Sequence, residues 1–216
     1  GVVANAKHWV NNNQETDRQT VSASVDERTE FEIYYPPFEG AIAAGLGSIM
    51  CSYNKECVDC PSGQVGKWSC ENHDTLTRDL KERLGFRGWV MSDWRATHSA
   101  SMNRGLDQEM PGAVYMGQEL ASLVADGAVP MEKVDDSAVR ILWPYFAVGL
   151  FDTPNMNTED ANVTSHAANQ LAGEFSAAST VLLKNEGALP IHSKTAHIAV
   201  IGREAEIPTV HGRGSG

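Results

Sequence analysis

Three short apolar runs punctuate the first hundred residues, and each stops on polar or aromatic side chains. The first is "GVVANAKHW" (Gly1–Trp9), which reads as a strand ending on Lys7 and His8. "LGSIMCSYN" (Leu46–Asn54) reads as a second, running into Tyr53 and Asn54, and "RGWVMSDW" (Arg87–Trp94) as a third, stopping on Ser92–Asp93–Trp94. Longer amphipathic segments separate them. After the polar stretch "NNNQETDRQTVSASVDERT", read as a loop, "EFEIYYPPFEGAIAAG" predicts helix interrupted by Pro36 and Pro37. Leu76, Leu80 and Leu84 in "NHDTLTRDLKERLGF" recur every fourth residue, which predicts an amphipathic helix capped near Asn72 or Asp74 and ended by Gly85. "GQELASLVADG" predicts another helix. A further helix is expected from Met131 onward, with Pro144 expected to break or kink it.

Strand alternating with helix, with polar groups at each strand's C-terminal end, predicts a parallel α/β architecture. Open sheets and (β/α)8 barrels both place their chemistry at that end. Three or four units are too few for a barrel, so the chain is read as a small open sheet or as a piece of something longer. Residues 151–164 are turn-rich and read as a linker. Beyond them "SHAANQLAGEFSAASTVLLKN" is expected to start helical, and "HIAVIG" to form a short buried strand that begins a second domain over 165–216.

Composition narrows the function classes. Of 216 residues, 28 are acidic and 17 basic, giving a net charge of −11 that repels phosphate backbones and argues against a nucleic-acid partner. No apolar run approaches the length of a membrane span, so no membrane partner is expected. Cys51, Cys57, Cys60 and Cys70 cluster in one segment. Two disulfides are the favoured reading, with a zinc site and free thiols as alternatives, and the pairing stays open. "NVT" makes Asn162 a candidate glycosylation acceptor, in keeping with secretion. His166, His192 and His197 show no metal-ligand spacing, and "HGRGSG" at the C-terminus reads as a flexible loop, not a phosphate cradle.

Asp93 alone could be an ordinary helix cap. Parallel strands, however, bring the Lys7–His8, Met50–Tyr53 and Asp93–Trp94 ends onto one face. A carboxylate, a cation, an imidazole and two aromatics around one hollow suit a sugar: the aromatics face its apolar surfaces and the polar groups meet its hydroxyls.

"AKHWVNNNQET", "GSIMCSYN", "LKERLGFRGWVMSDW", "GLDQEMPG" and "STVLLKNEGALPI" together resemble the family 3 glycoside hydrolases of the β-glucosidase type, in the family's order and over nearly the whole chain. The resemblance implies the C-terminal half of a (β/α)8-type barrel over 1–150, a linker over 151–164, and the start of an α/β sandwich over 165–216. It implies that Asp93 is the nucleophile of a retaining hydrolase, that Lys7 and His8 bind sugar hydroxyls, and that Met50, Tyr53 and Trp94 line the subsite. A Lys7 cation close to Asp93 would favour its charged form, and Tyr53 is expected to orient it. Glu15, Asp107 and Glu109 are tempting acids, but structural roles are expected for the last two, and the resemblance places the acid/base in the second domain beyond residue 216. "KHWVNNNQET" departs from the "KHFPGHG" of the N-acetylglucosaminidase branch, which favours a glucosidase or xylosidase. No cofactor is called for. The expected partner is a β-glucoside or oligosaccharide, and oligomeric state is left open. A sugar-binding relative without turnover, a β-xylosidase, and an unrelated open-sheet domain in which Asp93 only caps a helix are the alternatives. A fragment of this kind is expected to be inactive by itself.

Overall fold

Among the described residues six strands are interspersed with helices: β1 (Asn5–Trp9), β2 (Ser22–Val25), β3 (Ser48–Cys51), β4 (Lys55–Val58), β5 (Lys67–Trp68) and β6 (Trp89–Ser92). A computed structural model describes residues 1–153 and 161–207. The middle of the expected linker (154–160) and the "HGRGSG" segment lie outside the described residues. The chain divides into two compact units, Gly1–Met156 and Asn157–Gly216.

In the first unit, β1, β3 and β6 form a parallel sheet in chain order, with Lys7 opposite Met50 and Met50 opposite Met91. Met91 also bridges Gln108 in parallel, so the ladder continues one position beyond β6. Val–Ile–Met runs suit strands buried on both faces, and Ile49 and Val90 are fully buried. Gly88 permits the close approach of β6 to β3, since a Cβ there would lie 2.0 Å from the Gly47 carbonyl oxygen.

Aromatic and leucine side chains fill one side of this sheet. Trp9 stacks on Tyr35 with centroids 4.7 Å apart and meets Phe38 edge-on at 4.9 Å. Leu76, Leu80, Phe86 and Leu106 complete the core, each contributing about 1.5–3 kcal/mol by burial. Leu76 and Leu80 come from the helix Asp74–Arg83, whose turns are wider than the α-helix expected there: the Leu84 amide donates to the Asp79 carbonyl five residues back. Four residues is near one full turn at either pitch, so the apolar stripe survives the difference. Asn72 Oδ1 accepts from the Asp74 amide, and Gly85 takes a left-handed φ of 67° just past the end, as the sequence predicts.

The two prolines at 36 and 37 do separate helical segments: wide turns over Glu30–Tyr34 precede them, and helix Pro36–Ala43 starts on them, where a missing N–H costs nothing. Pro144 behaves otherwise. Helix Met131–Ala147 runs through it without a break, and its ring is buried, within 2.9 Å of where a Cβ on Gly47 would lie. Packing against the sheet outweighs the lost hydrogen bond. The polar stretch after β1 holds a strand the pattern concealed, β2, which pairs in parallel with β4; β4 pairs antiparallel with β5. The cysteine segment is therefore a small second sheet.

In the second unit, helix His166–Ser179 starts on a Ser165 cap, as expected. The expected buried strand over "HIAVIG" is not formed: residues 197–201 have no ladder partners among the described residues, and Ile201 is 92% exposed. A strand is defined by its pairing, and no other strand is present in this unit among the described residues.

Candidate active site

The C-terminal ends of β1, β3 and β6 carry the residues singled out by sequence. Asp93 follows β6 immediately, and its amide still donates to the Cys51 carbonyl at 3.1 Å, so the backbone of the acid is locked to β3. Its carboxylate is held at both oxygens. Oδ1 accepts from the Tyr53 hydroxyl at 3.0 Å and from the Trp94 amide at 2.6 Å. Oδ2 lies 3.0 Å from Nε2 of His8. The Tyr53 hydroxyl also lies 3.0 Å from the Trp94 carbonyl, so one phenolic proton serves two acceptors.

His8 reaches Asp93 because β1 is irregular there. Lys7 pairs with Met50 and Trp9 with Cys51, leaving His8 as an extra residue in the ladder. Such a bulge re-aims the side chain it carries. Burial lowers the His8 pKa, with Lys7 acting in the same direction and Asp93 opposing it, so a neutral imidazole donates to the carboxylate near neutral pH. Burial, reinforced by the hydrogen bond to Asp93, pushes Tyr53 up to about 12, which keeps it a donor.

Lys7 corrects one expectation. It is exposed and has no hydrogen-bond or ion-pair partner among the described residues; the β1 side chain that meets the Asp93 carboxylate is the His8 imidazole. Met50 is buried in β3, and the Trp94 ring is 48% exposed beside the carboxylate. Arg18, which sequence reasoning passed over, lies 4.7 Å above the Tyr53 ring and pairs with Glu15. Glu15 is thereby occupied at the rim. Asp107 and Glu109 have structural partners, as expected. Asp107 accepts from the Val90 amide, Lys81 Nζ and Ser137 Oγ, each at 2.8 Å. Glu109 accepts from Thr97 and from the Tyr115 and Met116 amides.

The cysteines form disulfides Cys51–Cys70 and Cys57–Cys60. The first ties the end of β3 to the far end of the loop carrying β4 and β5. Trp68 in that loop stacks on His98 at 3.9 Å, placing the stapled sheet beside the segment after Asp93. Three buried acids were also missed by sequence reading: Glu30, Glu56 and Asp79. Acidic residues within polar stretches give no sequence signal of burial.

A carboxylate fixed by a phenol and an imidazole, at the C-terminal ends of adjacent parallel strands and beside an exposed indole, is the constellation that this α/β unit presents. Residues 1–143 match the glycosyl hydrolase family 3 N-terminal domain, and the chain belongs to that family. It is 42% identical over 224 residues to a probable beta-glucosidase L of Emericella nidulans, covering 95% of this chain and 29% of that one. Among solved structures, it resembles a beta-D-glucoside glucohydrolase from Trichoderma reesei at 36% identity and a TM-score of 0.76, covering 88% of this chain and 27% of the other. DesR, a beta-glucosidase from Streptomyces venezuelae solved with D-glucose, is similar at 37% identity and a TM-score of 0.75, with 88% and 25% covered. The chain thus spans under a third of the length of these relatives.

Proposed function

We propose that this chain is part of a retaining β-glucosidase that releases terminal β-D-glucose, with Asp93 as its nucleophile. The observation that carries the reading is the Asp93 carboxylate held between Tyr53 and His8 at the strand ends. In the reaction, an oxygen of Asp93 attacks the anomeric carbon, the bond to the leaving oxygen breaks, and a glycosyl ester forms; water then hydrolyses the ester. Tyr53 and the Trp94 amide hold the carboxylate in one rotamer for attack, so less ordering is needed in the transition state. Lys7 and His8 meet the sugar hydroxyls, while Met50 and Trp94 contact its apolar faces. The acid that protonates the leaving oxygen is placed outside these 216 residues.

The barrel reading rests on the strand order. β1, β3 and β6 neighbour one another in chain sequence and all run parallel, with Gln108 continuing the series; this is the order in which a (β/α)8 barrel is wound. We read residues 1–150 as the C-terminal half of such a barrel, 151–164 as a linker, and 165–216 as the start of an α/β sandwich. Residues 1–216 alone are then inactive, because half a barrel leaves strand edges open. Two disulfides suit an oxidising compartment, which supports secretion.

The test uses the native-length protein that contains this segment. Incubation with a 2-deoxy-2-fluoro-glucoside bearing a good leaving group slows breakdown of the ester, and peptide mass mapping then finds the label. A glycosyl mass on Asp93 is expected. Binding of glucose with no label on any residue would favour a non-catalytic sugar-binding relative. Faster labelling by the corresponding xyloside would favour a β-xylosidase.

A further inference from the structure

The bulge that aims His8 at Asp93 must itself be held, and β1 has no neighbour on its other side among the described residues. The stapled loop supplies the support. Immediately after His8, the Trp9 carbonyl accepts from the Ser52 amide at 2.9 Å and from Ser69 Oγ at 2.6 Å. The Val10 carbonyl accepts from Asn54 Nδ2 at 3.1 Å. The Val10 amide donates to Oε1 of Glu56 at 3.1 Å. Every donor or acceptor in this clamp lies between Cys51 and Cys70, the ends of one disulfide.

We infer that Glu56 is a positioning residue for the site, its buried carboxylate fixing the Val10 amide and so the backbone run that sets His8 against Asp93. This rests on the proposed role of Asp93. Glu56 is 2% exposed, and among the described residues its hydrogen bonds go to Val10, Thr75 and Asn72 and not to His8, Tyr53 or Asp93. Its second oxygen accepts from Thr75 Oγ1 at 2.9 Å and Asn72 Nδ2 at 3.3 Å. It therefore bridges the chain after β1 to the N-terminal end of helix Asp74–Arg83. A side chain that acts through its reach is sensitive to its length and tolerates a neutral group of the same reach. Burial favours its neutral form, while these donors favour its charge; either form accepts the Val10 N–H at Oε1.

The test compares Glu56→Gln, which keeps that reach, with Glu56→Asp, which shortens it by one methylene, in the native-length protein. The readouts are the rate constant for labelling by the fluoro-glucoside at saturation, the labelled fraction at completion, and the thermal midpoint. Positioning predicts full labelling of Glu56→Asp, but about tenfold to a hundredfold slower, as expected when a reacting group is displaced by a fraction of an ångström. Glu56→Gln should label within about threefold of the parent. A structural role alone would lower the labelled fraction with the unfolded population and leave the rate constant unchanged; that result, or Glu56→Gln slowing as much as Glu56→Asp, overturns the inference. Should the parent protein fail to label at Asp93, the functional reading fails first and separately.

Discussion

The Tyr53 hydroxyl and the Asp93 carboxylate meet at 3.0 Å across two neighbouring strand ends, and the sequence separates them by 40 residues. Tyr53 stands two residues past β3 and Asp93 one past β6, so their contact is set by strand register and not by a local turn. Tyr53→Phe removes the donor and keeps the ring. The Trp94 amide still holds Oδ1, so the carboxylate loses one of two restraints there. Glycosylation by an aryl glucoside should slow by about tenfold, equivalent to about 1.4 kcal/mol, with KM changed far less. Pre-steady-state kinetics on the native-length protein measure this, and an unchanged glycosylation rate would remove Tyr53 from the proposed machinery.

Glu30 gives a pH-dependent stability with a definite sign. It is fully buried, and burial raises its pKa to about 7, with Asn11 opposing through a hydrogen bond. The folded state therefore holds its proton more tightly than the unfolded state. Its contribution is fully present below the unfolded value of about 4.5 and is lost as pH rises through about 7. Oε2 of Glu30 and Oδ1 of Asn11 lack partners among the described residues. Glu30→Gln removes the charge that pH 8 would impose and brings donors to this cluster. Its unfolding free energy should exceed the parent's by about 1–3 kcal/mol at pH 8 and match it within about 1 kcal/mol at pH 4.5. Denaturant titrations at the two pH values decide; a gain of equal size at both would mean that charge burial is not the cause.

The two disulfides should differ in worth. Cys51 and Cys70 are 19 residues apart, whereas Cys57 and Cys60 are 3 apart. On loop entropy alone the first stabilises by about 3 kcal/mol and the second by about 2. The longer bridge also closes the loop that grips Trp9 and Val10. Paired Cys51→Ser and Cys70→Ser should therefore lower both the midpoint and the labelling rate of the folded enzyme, while paired Cys57→Ser and Cys60→Ser should lower the midpoint alone. Equal effects on labelling would detach the Cys51–Cys70 bridge from the site.

Much of the site is legible in the sequence because strand ends are. The runs ending in Lys7–His8, Tyr53 and Asp93–Trp94 announce themselves by hydrophobicity, and parallel pairing then brings them together. What escapes is irregular backbone and buried polarity. The bulge at His8 depends on pairing with Met50 and Cys51, which one strand's residues do not encode. "SASV" lacks the apolar run of a core strand, yet β2 forms because β4 offers it a ladder. Glu56 looks like any surface acid until the Val10, Thr75 and Asn72 donors surround it. "HIAVIG" fails in the other direction: its composition is that of a buried strand, but composition supplies no partner.

Asp107 separates a structural carboxylate from a catalytic one. It sits in the "GLDQEMPG" stretch, where an acid near the pocket invites a role in proton transfer. The structure instead gives it Lys81, whose side chain is 7% exposed, and Ser137 from a different helix. Burial lowers the pKa of Lys81, and the Asp107 carboxylate in contact with it opposes that shift. Asp107→Asn strands the ammonium and should destabilise the protein by about 3 kcal/mol or more. An acid catalyst matters most when the leaving group is poor. In the folded fraction of Asp107→Asn, kcat/KM should change by the same factor for aryl glucosides with good and with poor leaving groups. A loss concentrated on the poor leaving groups would make Asp107 a proton donor and overturn its structural assignment. Uniform retention of rate with a lowered midpoint would leave it as the anchor that joins β6 to helix Met131–Ala147.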